Sequence, residues 1–279
     1  MSLILEKFNT KAVLPDILID EWKQAVQGFD TVLFDSLDHF TYTVAKLTQA
    51  QDSMCGVTYD EALSNLQNNV SQFPEEEQLS IRNLVRKNLF KRGLITEEVY
   101  ENFVYTTSGT NMGVDVGKYA AGESDCVLSP AREYIDFFYE LYVSVSYSCS
   151  VQNKDVMRNV AKLLATVEEL ERQHIYVKIS TVLPIKNLQK RSEEGRKNGF
   201  FSVIPVFSHK DFKSVDVMSS VINDRLLRKF YFAIVEDLYG NNLEKSSYGN
   251  PMSLNKTINI GDELNEIELF EQITNHVGA

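Results

Sequence analysis

Apolar residues recur at helical spacing along the first third of the chain. Ile17, Leu18, Trp22, Ala25 and Val26 share one face of a helix over 16–26, which Gly28 breaks. Leu37, Phe40, Val44 and Leu47 place a second helix over 35–47. Thr58 with Glu61 three residues later is a capping box, so a third helix starts there. Pro74, followed by Glu75, Glu76 and Glu77, opens a fourth. Proline suits the first turn, where its missing amide is no loss, and the carboxylates suit the positive end of the helix dipole. The apolar positions of that helix are Leu79, Ile81, Leu84, Val85 and Leu89, and it stops near Gly93. Thr96 with Glu97 and Glu98 marks one more helix start.

The texture changes from Thr106 to Pro130, where glycine and turn formers crowd together. Beyond it the periods become regular. Phe137 to Ser148 is rich in aromatic and β-branched residues and reads as a strand. Asn153 caps a helix with a stripe of Val156, Val160, Leu163, Leu164, Val167 and Leu170. Ile175 to Leu183 is a second strand. Strand, helix and strand in this order predict a parallel pair joined by a right-handed crossover. A basic linker over 186–199, a third strand over 200–207 and a long helix over 216–238 follow. A turn at Tyr239, a short strand over 257–260 and a terminal amphipathic helix starting at Gly261-Asp262 complete the series. The expected class is α/β, mixed α+β overall: a mainly helical N-terminal region (1–105), a glycine-rich junction (106–130), and an α/β domain (131–279) with a mainly parallel sheet flanked by helices.

Composition narrows the function classes. A chain of 279 residues with 43% hydrophobic and 24% charged residues is that of a folded, soluble protein with a sizeable core. The net charge of −11 repels phosphates and disfavours nucleic acid as a partner. No signal peptide and no run of about 20 apolar residues is present, which points to the cytoplasm and away from membranes. Three cysteines, Cys55, Cys126 and Cys149, are too scattered for a disulfide framework or a zinc site. The aromatic content, 16 Phe and 13 Tyr, suits interfaces as well as cores, and a homo-oligomer is expected.

Candidate chemistry gathers at a few places. Ser144, Ser146 and Ser148 end the first strand of the β-α-β unit, where open parallel sheets usually hold ligands. Their spacing resembles the Asp-x-Ser-x-Ser metal site of von Willebrand factor A-type domains, but Ser144 stands at the aspartate position. A hydroxyl there does not supply the charge a divalent cation needs, so no metal is expected. The segment Gly109 to Gly117 has the glycines of a phosphate loop without its Gly-Lys-Ser/Thr ending. Asp115, Glu123 and Asp125, with Ser146, are the candidate catalytic groups. The basic residues Lys190, Arg191, Arg196, Lys197 and Arg228 are candidates for contact with an acidic partner or a phosphate. The four histidines, His39, His174, His209 and His276, lie in different elements at no metal-ligand spacing, and no cofactor is implied.

The stretches Val114 to Cys126, Tyr142 to Ser148, Leu164 to Lys178, Arg225 to Phe232 and Ser247 to Pro251 together resemble an uncharacterised family of bacteriophage proteins. The resemblance covers about 105–255, with weaker agreement over Cys55 to Leu63. The family pattern has an arginine-glycine pair at the start of the central helix, where this chain has Met157-Arg158-Asn159. The resemblance implies a phage accessory protein made in the cytoplasm of a bacterial host. The leading expectation is therefore a non-catalytic protein that binds a bacterial host complex, such as a defence or replication factor. Two alternatives remain open at this point: a nucleotide- or phosphoester-processing enzyme acting at the strand ends near Ser144 to Ser148, and a virion structural component.

Overall fold

The computed structural model describes residues 20–47, 58–68, 73–95, 103–106, 113–114, 116–123, 126–130, 137–147, 151–188, 199–222, 230–231, 233–237 and 250–277. In chain order the first elements are helix α1 (Asp20–Ala25), strand β1 (Asp30–Leu33), and helices α2 (Leu37–Val44), α3 (Tyr59–Asn68) and α4 (Glu75–Lys91). Next come β2 (Phe103–Thr106), β3 (Gly113–Val114), α5 (Val116–Ala120) and β4 (Val127–Pro130). The remaining elements are β5 (Phe137–Ser144), α6 (Asn153–Glu171), β6 (Ile175–Lys186), β7 (Gly199–Phe207), α7 (Val215–Ile222), β8 (Asn250–Pro251), β9 (Ile258–Asn259) and α8 (Glu266–Val277). Residues 230–231 and 233–237 are also helical.

The main sheet has the order β1-β7-β6-β5-β9, with β8 paired to the end of β6. The pairs β1–β7, β6–β5 and β5–β9 are parallel, whereas β6–β7 and β6–β8 are antiparallel. The predicted β-α-β unit is present: β5 and β6 lie side by side in parallel register, Phe137 opposite Ile175 and Ser144 opposite Val182, with α6 between them in the chain. Every residue of the predicted α6 stripe is buried. Each such Val or Leu contributes roughly 1.5–3 kcal/mol when removed from water, which makes α6 the chief anchor of the helical layer. That layer covers one face of the sheet, where Leu141, Val143, Leu183, Phe200 and Val32 join a core shared with α2, α3, α4, α6, α7 and α8. The opposite face packs Tyr142, Val182 and Phe201 against Trp22 of α1, Val26 just after it, and Leu254. Trp22 meets the Tyr142 ring edge-on at 4.9 Å and donates its indole N–H to the Asn255 carbonyl at 2.7 Å.

Several local predictions hold for the expected reasons. Thr58 and Glu61 exchange capping bonds: the Glu61 carboxylate accepts from the Thr58 amide at 2.9 Å, and Thr58 Oγ1 accepts from the Glu61 amide at 3.2 Å. The helix α4 ends in a Schellman motif. Gly93, at φ 74°, donates to the Phe90 carbonyl at 2.9 Å, and Leu94 donates to the Leu89 carbonyl at 3.1 Å.

Others need correction. The N-terminal region is mainly helical as expected, but it also contributes an unforeseen strand: Asp30–Leu33 adds a parallel edge strand to the main sheet beside β7. The glycine-rich stretch from Thr106 to Pro130 is more than a turn-rich junction: it carries β3, α5 and β4, and β4 pairs antiparallel with both β2 and β3. The strand predicted to Ser148 ends at Ser144. Asn153 is the first helical residue of α6 rather than its cap; Gln152 holds the cap position and gives no side-chain bond. The terminal helix begins at Glu266, not at Gly261, because the Asn265 side chain accepts from the Ile267 and Glu268 amides and sets the start there. On α4 only Ile81, Val85 and Leu89 of the expected apolar positions are buried, a strict four-residue spacing, while Leu79 and Leu84 face water. The start at Thr96 and the turn at Tyr239 lie outside the described residues, as do 223–229, 232 and 238 within the long helix expected over 216–238.

Candidate functional site

The carboxyl end of β5 is the place where a ligand is expected on topological grounds. The chain leaves β5 towards β6 through α6, while β9 flanks β5 on the other side and leads into α8. The strand order thus diverges at β5, and such points form ligand crevices in open sheets. Here an open depression of about 450 Å³ lies against the first turns of α6 and Gly261.

Three of its polar side chains, Asn159, Lys162 and Arg158, are already engaged within the chain. The buried Asn159 side chain donates to the carbonyls of Ile260 (3.0 Å) and Asp262 (2.7 Å) and accepts from the Leu264 amide (3.3 Å), so it ties α6 to the connection between β9 and α8. Lys162 donates to the Leu264 carbonyl at 3.2 Å and pairs with Glu266 at 3.6 Å. Asn88 of α4 donates to the same Glu266 carboxylate at 2.8 Å. Burial pushes the Glu266 carboxyl up, but the bonds from Asn88, its own amide and Lys162 outweigh this and hold it below the ordinary value. Arg158 points to Glu77 of α4, 3.5 Å away. A Cβ at Gly261 would overlap the Cβ of Tyr147, so the chain passes too closely there for any larger residue.

The strand-end serines share this inward use. Ser146 is 5% exposed; its hydroxyl donates to the Pro184 carbonyl at 2.6 Å and accepts from the Met252 amide at 3.3 Å, which fastens the β8 segment to β6. Ser144 is 1% exposed, and its hydroxyl has no partner among the described residues. Neither serine borders the depression. Ser148, Asp115, Asp125, Lys190, Arg191, Arg196, Lys197 and Arg228 lie outside the described residues. Glu123 is exposed after α5 and pairs with Lys118 at 3.4 Å. Among the described residues no group of three or more His, Cys, Asp or Glu is placed to hold a metal ion. His209 and His276 pack edge-on against Phe138 and Tyr139.

A second concavity, which sequence reasoning missed, lies over α6 between α4 and the start of α7. It encloses about 410 Å³. Ala161, Leu164 and Ala165 form its floor, with Leu79 on one wall and Phe212 on the other. Phe212 is 85% exposed and Leu79 55%. The rim carries four carboxylates, Glu75, Glu168, Glu171 and Asp216, and two cations, Arg82 and Lys213. Arg82 bonds to Glu168, and Lys213 to Glu171 at 2.6 Å. Glu75 and Asp216 have no ion-pair partner among the described residues, so the groove is acidic on balance. Two signals for it stood in the sequence: an apolar Leu79 that breaks the spacing of Ile81, Val85 and Leu89, and a lone aromatic in Asp211-Phe212-Lys213.

Residues 24–275 match the family described as a domain of unknown function, DUF7192. The chain belongs to this family. The span of this DUF7192 chain that matches runs from α1 into α8, so it takes in both the depression at β5 and the groove over α6. No curated protein and no solved structure matches the chain. Among the described residues, no helix is long and apolar enough to cross a membrane.

Proposed function

We propose that this DUF7192 protein acts by binding another protein rather than by catalysis, as a bacteriophage accessory protein in the cytoplasm of a bacterial host, where its target is a host complex such as a defence or replication factor. The resemblance to bacteriophage proteins supports the setting. The observation that carries the binding role is Phe212, a phenylalanine left 85% exposed at the wall of a groove with an apolar floor. Exposed aromatics beside a concave apolar surface are typical anchors of protein interfaces. The enzymatic alternative at the β5 end draws less support, since the Ser146 hydroxyl already serves two backbone groups and Ser144 is buried.

The test is a photo-crosslinking amino acid at position 212 of the full chain, expressed in host cells, with the adducts identified by mass spectrometry. The expected result is one host protein whose adduct disappears with Leu79→Ser and which, once purified, binds the unmodified chain. If no adduct depends on Leu79 and the purified chain binds none of the captured proteins, the binding role falls.

A further inference from the structure

The groove over α6 also carries information about what would fill it. The stretch of α6 that lines it runs from Ala161 on the floor to Glu168 on the rim, two turns of helix or roughly 10 Å at about 1.5 Å per residue. An amphipathic helix presents anchors at i, i+3 or i+4, and i+7 over the same length. Ala161, Leu164 and Ala165 close the groove beneath and are themselves buried, while Leu79 and Phe212 stand on either side as the exposed apolar surface that a second helix would cover.

Charge selects among such helices. The two rim cations are occupied by Glu168 and Glu171, whereas Glu75 and Asp216 are exposed carboxylates that make no ion pair among the described residues. Glu76 extends the acidic edge at the start of α4, and the whole chain carries −11. A helix flanked by acids would face like charges across the contact, and one flanked by Lys or Arg would be drawn to it.

We infer that the groove between α4 and α7 receives a basic amphipathic helix of a partner protein, with apolar anchors seated between Leu79 and Phe212 and Lys or Arg side chains facing Glu75 and Asp216. This inference rests on the protein-binding function and specifies the partner's chemistry.

The test uses full-length protein and two labelled synthetic peptides of about 18 residues, five turns at about 3.6 residues each. Both share one Leu/Phe face; one carries Lys and Arg on its flanks, the other Glu. Fluorescence anisotropy is expected to show the basic peptide binding at least about tenfold more tightly, a difference of about 1.4 kcal/mol. That preference should shrink as salt rises. Phe212→Ser should abolish binding of both peptides, and the double variant Glu75→Lys with Asp216→Lys should remove or reverse the preference. Urea unfolding of each variant checks that the fold is intact. Equal affinity for the two peptides, or binding indifferent to Phe212, overturns the inference. If neither peptide binds while the crosslinker at 212 still captures a Leu79-dependent host protein, the inference fails and the binding function stands. If neither peptide binds and nothing is captured, both fall. Adducts joining position 212 to residues 1–19 of the same chain, or to a second copy, assign the groove to the protein itself and also overturn the inference.

Discussion

The two concavities of this protein differ in what their atoms are already doing. At the end of β5 three buried or half-buried polar side chains are held within the chain: Asn159 makes three bonds, Lys162 two contacts and Ser146 two bonds. Over α6 the situation is reversed. Arg82 and Lys213 pair with Glu168 and Glu171, Glu75 and Asp216 make no ion pair among the described residues, and Phe212 and Leu79 leave large apolar surfaces in water. Satisfied hydrogen bonds stabilise a fold and resist a ligand, because a ligand must replace them. Exposed apolar area does the opposite, since covering it is favourable at about 25 cal/mol per Å². Topology points to the first place and surface chemistry to the second, and here the chemistry decides.

That contrast is broken most directly at Asn159. Replacing it with Ala leaves the carbonyls of Ile260 and Asp262 and the amide of Leu264 without their partner. Orphaned buried groups cost about 1–3 kcal/mol each, so Asn159→Ala should lower unfolding stability by about 3 kcal/mol or more, measured by urea denaturation of the full chain. A small loss, with water taking over the bonds, would mean that the β5 end is open enough to hold a ligand after all.

The serines sharpen the comparison at a smaller scale. Ser146→Ala removes a bond to Pro184 and one from Met252, and should cost about 1–2 kcal/mol. Ser144→Ala removes a buried hydroxyl with no partner among the described residues, so it should be neutral within about 0.5 kcal/mol or slightly stabilising. A ligand site at this strand end would give another result, in which Ser144→Ala leaves stability alone but removes saturable binding of a nucleotide or phosphate seen with the wild type.

Much of the fold was legible because its signals are local and periodic. The α6 stripe, the strands on either side of it and the capping box at Thr58 each lie within one stretch of sequence. Strand β1 was not legible. Four residues, Asp30–Leu33, carry too little alternation, and they become a strand only by pairing with Phe200–Val203 far along the chain. The same limit applies to the sites. The spacing of Ser144 and Ser146 placed them at a strand end, but sequence does not say whether a hydroxyl faces water or a backbone carbonyl. That depends on Pro184 and Met252, from other elements. Phe212 read as one phenylalanine among sixteen, because its exposure is set by how α4 and α7 straddle α6.

Acid provides a gentler probe of the β5 end. Glu266 has a folded-state carboxyl held below its ordinary value of 4.5, since the bonds from Asn88, its own amide and Lys162 outweigh the upward push of burial. A depressed carboxyl gives stability that is fully present above its unfolded value and is lost as pH falls through the folded one. Wild type should therefore weaken below about pH 4.5, and Glu266→Gln should flatten that part of the curve while costing some stability at neutral pH. Equal slopes for the two proteins would detach Glu266 from the clamp.

The smallest effect on stability is expected at the groove, and it separates the two regions most cleanly. Phe212→Ser and Leu79→Ser remove side chains that are mostly in water, so each should leave the unfolding free energy within about 0.5 kcal/mol of wild type. A residue that stabilises nothing in the free chain yet governs association has its energetic role in a complex. Should either substitution instead destabilise the isolated protein by about 2 kcal/mol or more, on the scale of a core truncation, the groove would be part of the protein's own core. The contrast between a satisfied strand end and an unsatisfied helical groove would then collapse.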